Sequence, residues 1–74
     1  MKSTEAIKEI MKEQNVTATA LGKRIGKTQK VVSDRLRLEN LSTDKLNEML
    51  RALDYKIVIM PADTRLPKDS YEVE

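Results

Sequence analysis

The chain has 74 residues and a mass of 8.5 kDa, enough for one small domain but too short for two with separate cores. It contains no Cys and no His, which excludes disulfides, thiolate or imidazole zinc sites, Cys–His nucleophiles and Ser–His–Asp triads. Its net charge of +2 is unevenly spread: residues 15–37 carry +5, with Asp34 as their one acid, and residues 38–74 carry −3, so one half is suited to an anionic partner.

With no Phe or Trp the core must be aliphatic. A chain this short buries only ~60% of its unfolded surface, which makes a second subunit an expected source of support. The opening residues MKSTEAIKEIMKEQ mix charge with apolar side chains and do not form a secretory leader, and the apolar run Ile57–Met60 falls far short of a membrane span. The expectation is a soluble cytoplasmic protein with no membrane association.

In chain order, Ile7, Ile10 and Met11 recur at helical spacing, so a first amphipathic helix is predicted from Ser3, as N-cap, to Gln14. A second begins at Thr17, where Val16 and Leu21 are placed to form a hydrophobic staple, and closes at Gly26, which can adopt the left-handed conformation. Thr28 caps a third helix after a turn of about three residues, a spacing that suggests a helix-turn-helix. There Val32 and Leu36 point inward and Val31 lies on the flank, while Gln29, Lys30, Ser33, Asp34 and Arg37 point largely the other way. Leu41, a Ser42 cap and Leu46, Met49, Leu50 and Leu53 predict a fourth helix that stops at Asp54.

The β-branched stretch from Tyr55 to Met60 reads as one strand ending at Pro61. Residues 61–74 are mostly polar and read as a mobile tail. The expected architecture is therefore mainly α: a four-helix, repressor-like helix-turn-helix domain over residues 1–54, a strand at 55–60 for dimerisation, and a flexible tail at 61–74.

The stretch TATALGKRIGKTQKVVSDRL, Thr17–Leu36, resembles the phage repressor and Cro-like helix-turn-helix family, also called the xenobiotic-response-element type. Thr17, Leu21, Gly22, Ile25, Gly26, Thr28, Gln29 and Val32 carry the resemblance. Lys27 and Arg35 depart from the family pattern, Arg35 standing near an inward position, and the family's fifth helix is replaced by the strand and tail. The resemblance implies a recognition helix in the major groove of double-stranded DNA, with Gln29, Lys30, Ser33 and Asp34 at base edges. Thr17, Lys23, Arg24, Lys27, Thr28, Arg35 and Arg37 are the corresponding phosphate candidates.

The strand is apolar on both faces, with Ile57 and Ile59 on one and Val58 and Met60 on the other, and such a strand needs a partner. The expectation is an antiparallel homodimer through Tyr55, Ile57, Val58, Ile59 and Met60, the alternative being a local hairpin with residues 71–73. Met11 and Met49 read as core filling and Tyr55 as packing. No cofactor, metal or catalytic residue is predicted, since Ser33 lacks a histidine to activate it and no protected pair of carboxylates is evident. Two functions fit: a sequence-specific dimeric repressor reading a palindrome, or a protein-interaction module, such as an antitoxin, using the strand and the acidic tail.

Overall fold

The computed structural model describes all 74 residues. Four α-helices follow one another: α1 (Ser3–Gln14), α2 (Ala18–Ile25), α3 (Gln29–Leu36) and α4 (Thr43–Arg51). Ile7, Ile10 and Met11 of α1, Leu21 of α2, Val32 of α3 and Met49, Leu50 and Leu53 of the α4 region converge in one buried cluster. Each fully buried aliphatic side chain there contributes about 1.5–3 kcal/mol relative to exposure. Val16, Leu41, Leu46 and Tyr55 are partly buried against the cluster, as the staple and packing readings require.

The helix boundaries follow the capping chemistry of the sequence. Thr17 accepts a hydrogen bond from the Ala20 amide (3.1 Å), Thr28 from Val31 (3.3 Å) and Ser42 from Lys45 (3.4 Å), each supplying an acceptor to an otherwise unbonded first-turn amide. Gly26 closes α2 with φ +69, and at Gly22 a Cβ would meet the Lys27 carbonyl oxygen at 2.8 Å, so the turn after α2 crosses its helix where only glycine leaves room.

Ser3 departs from its expected role. The cap position of α1 is Lys2, and Ser3 is the first helical residue. Its side chain is buried and reaches across the chain, accepting from the Leu41 amide at 3.0 Å, while its own amide donates to Asn40 Oδ1 at 3.1 Å. The neighbouring Thr4 hydroxyl donates to the Leu38 carbonyl at 2.6 Å, with the Glu39 carbonyl 2.9 Å away. These bonds fasten the start of α1 to the connection between α3 and α4, which holds α3 in place from behind.

The predicted strand does not form. Residues 55–60 run without regular structure: the Tyr55 amide bonds back to the Leu50 carbonyl, but no backbone hydrogen bond pairs residues 56–60 with another segment. A strand is stabilised by its ladder, and the chain offers no second edge in register, neither as a sheet nor as the alternative hairpin with 71–73. Of the five residues assigned to dimerisation, Tyr55 and Met60 are half-buried, Ile57 and Val58 are exposed, and Ile59 is 100% exposed.

Residues 61–74 have no helix or strand, yet their end is fastened to the body. Tight turns at Pro61–Thr64 and Pro67–Ser70 reverse the chain. Tyr71 then packs its ring against Tyr55 (centroids 6.1 Å apart) and donates its hydroxyl to the Glu13 carboxylate of α1. The terminal ammonium of Met1 donates to the Glu72 carbonyl at 3.3 Å, and the Glu74 amide donates to the Met1 carbonyl at 3.0 Å. Between this segment, α1 and α4 lies an apolar groove of about 160 Å³ floored by Ala6, Ile10, Leu46 and Leu50.

Candidate nucleic-acid interface

Helices α2 and α3 form a helix-turn-helix in which α3 turns Val32 inward and keeps Gln29 and Lys30 exposed at its N-terminal end. Residues three and four apart share a helix face, so Gln29 meets Ser33, and Lys30 meets Asp34. Gln29 Nε2 donates to Ser33 Oγ at 2.7 Å, which leaves the amide oxygen and one amide hydrogen free for a ligand. Lys30 Nζ donates to Asp34 Oδ2 at 2.9 Å, and Arg37 Nη1 lies 3.4 Å from Asp34 Oδ1. The four nominated base-contacting residues thus form two bonded pairs on one stripe of α3. The hydrogen bond from Lys30, reinforced by the charges of Lys30 and Arg37, holds the Asp34 carboxyl below its ordinary value of 3.8 and keeps it ionised near neutrality.

The seven phosphate candidates divide. Thr17 and Thr28 are exposed at the starts of α2 and α3; their oxygens accept from the cap amides and their hydroxyl hydrogens are left to donate. Lys23 and Lys27 are exposed and make no ion pair, while Arg37 is exposed at the end of α3 with Asp34 beside it. Two others are bonded to α4 and the residue that follows it. Arg24 Nη1 donates to the Ala52 carbonyl at 3.0 Å, satisfying a carbonyl at the end of α4. Arg35, nominated for phosphate, instead turns inward. Its side chain is 13% exposed, and Nη1 donates to Glu48 Oε1 of α4 at 2.6 Å. That bond holds the Glu48 carboxyl below its ordinary value of 4.5. Arg35 therefore braces α3 against α4 and faces away from the exposed stripe.

Sequence reasoning missed three partners. Glu48 lies 13 residues beyond Arg35, and Glu13 lies 58 residues before Tyr71, separations at which no local pattern pairs side chains. Asn40, which receives the Ser3 amide, gave no signal either, since an asparagine in a loop reads only as turn chemistry.

The family model described as the ParB HTH domain matches residues 1–56. The chain belongs to the ParB HTH domain family. The match spans all four helices and ends at the start of the irregular segment 55–60, so the part of the chain that folds as helices is the part that the family defines. A ParB HTH domain is a helix-turn-helix DNA-binding domain, which agrees with the general class read from Thr17–Leu36. The match supports the helix-turn-helix class and not the finer phage repressor and Cro-like type. Searches of curated proteins and of solved structures gave no match. No helix of this ParB HTH domain is long and apolar enough to cross a membrane.

Proposed function

We propose that this ParB HTH domain is a sequence-specific transcriptional regulator of double-stranded DNA, acting as a dimeric repressor on a palindromic site, and that it binds without catalysing a reaction. The observation that carries the reading is the stripe of α3, where Gln29, Lys30, Ser33 and Asp34 stand together on the outer face of a helix-turn-helix. Gln can bond an adenine edge bidentately, Lys can donate to guanine O6 or N7, and Asp can accept from cytosine N4, so the stripe holds the chemistry of direct readout in the major groove. Lys23, Lys27 and Arg37, with the capped starts of α2 and α3, supply groups for phosphate.

The dimer rests on the segment 56–60, whose backbone groups are unpaired and whose Ile57, Val58 and Ile59 are exposed. Antiparallel pairing with the same segment of a second copy satisfies that backbone and covers those side chains. It also gives two recognition helices related by a twofold axis, which suits half-sites spaced by about 34 Å. Repression follows from occupancy, because a protein lying in two successive major grooves excludes polymerase from the same DNA.

The test is selection of duplexes from a random-sequence pool, followed by fluorescence anisotropy of the selected and scrambled duplexes at several salt concentrations. Tight binding to a palindromic selected duplex, weakening linearly in log affinity against log salt, is the expected result. Equal affinity for both duplexes overturns sequence specificity. No binding to either at low salt overturns the DNA reading and favours a protein partner for the exposed apolar segment.

A further inference from the structure

Asp34 is the only acid between Asn15 and Arg37, and it is the last residue of the stripe described above. Lys30 precedes it by four residues and Arg37 follows it by three, so all three share one face over two turns. The two cations are 81% and 79% exposed, while the carboxylate between them is 44% exposed and has a cation on each oxygen. Arg24 and Arg35 are bonded to Ala52 and Glu48, so Asp34 holds two of the four remaining cations of residues 15–37.

Resting on the DNA-binding reading, we infer that Asp34 determines specificity as an internal competitor, holding Lys30 and Arg37 away from phosphate unless the DNA offers its carboxylate a donor of its own. On an arbitrary duplex, the carboxylate meets phosphate charge and base edges that present mainly acceptors, and each phosphate must displace it from its cations. On a site with a cytosine amino group opposite Asp34, the carboxylate accepts from the base and the two cations turn to the backbone. Weak sequence-independent binding is the consequence, achieved by repulsion of the wrong sites as well as attraction to the right one.

The experiment compares the full chain with Asp34→Asn, which keeps size and removes charge, on a random-sequence duplex and on the duplex selected by the unmodified protein. Asp63→Asn makes the same change in net charge in the C-terminal segment, outside the helix-turn-helix, and serves as control. Asp34→Asn is expected to raise affinity for the random duplex about five- to tenfold and to steepen its salt slope by about 1, with no gain on the selected duplex. Adding Lys30→Gln to Asp34→Asn is expected to remove about half or more of that gain, since one released cation is then absent. Equal gains on both duplexes, matched by Asp63→Asn, overturn the inference, as does an unchanged affinity for random DNA. If the unmodified protein and both single variants bind neither duplex at low salt, the DNA-binding reading falls and this inference falls with it.

Discussion

Residues 55–74 are as apolar as the rest of the chain, with 9 hydrophobic residues in 20 against 20 in the preceding 54, yet all 12 buried residues lie in the helical part. The difference comes from spacing and hydrogen bonding. In α1 to α4 the apolar side chains recur every three or four residues, and each helix bonds its own backbone, so burial requires only that four stripes meet. In the C-terminal segment the apolar residues either run consecutively, as in Ile57–Met60, or stand apart without helical spacing, and the backbone of 56–60 finds no partner in the chain. The lesson is that hydrophobicity without a matched period stays on the surface until something else covers it.

The sharpest way to break this comparison is a pair of substitutions. Leu21→Ala, at a fully buried position, is expected to cost about 2–5 kcal/mol in urea unfolding. Ile59→Asp, at a fully exposed one, is expected to change the stability of the monomer by less than about 0.5 kcal/mol while shifting sedimentation toward the monomer. A large loss of monomer stability from Ile59→Asp would mean that the segment belongs to the core after all. Next in size, Gly22→Ala is expected to cost about 1–3 kcal/mol, because the added methyl meets the backbone of Lys27 and Thr28, which has no rotamer to yield.

Smaller effects separate the two regions by pH. The Glu48 carboxyl is depressed by its bond from Arg35, so its contribution is present above its unfolded value of 4.5 and is lost as pH falls through the lower folded value. Glu48→Gln should therefore be less stable than the unmodified chain at neutral pH, with the gap closing in acid below 4.5 when the two are unfolded side by side. The C-terminal segment has the opposite sign. Tyr71 donates to Glu13, and ionisation is pushed up from 10.0 to about 12, so its contribution is present below pH 10.0 and disappears as pH rises through about 12. Tyr71→Phe should remove the phenol that ionises near 12 from an ultraviolet titration and leave the helical content unchanged; a fall in helical content would show that the segment supports the helices as well as covering them.

Much of the candidate site was legible because it is local. Gln29, Lys30, Ser33 and Asp34 fall on one stripe by helical geometry alone, and Val32 behind them had to face the core. Arg24 and Arg35 look like further basic groups in a basic region, and nothing within a turn of either reveals the Ala52 carbonyl or the Glu48 carboxylate that occupies it. Ser3 has the type and position of a cap, but the loop residues Asn40 and Leu41, 37 and 38 residues further along the chain, claim its amide and hydroxyl.

The sequence by itself determined four helices, their caps at Thr17, Thr28 and Ser42, the glycine turn between the second and third, and the exposed stripe of α3, because each depends on residues within a turn or two of one another. Tertiary structure alone decided which cations face outward, where the loop after α3 is fastened, that Tyr71 returns to α1, and that residues 56–60 find no partner in their own chain. Those outcomes depend on which distant groups meet, and a hydrogen bond across 13, 38 or 58 residues leaves no periodic trace along the chain.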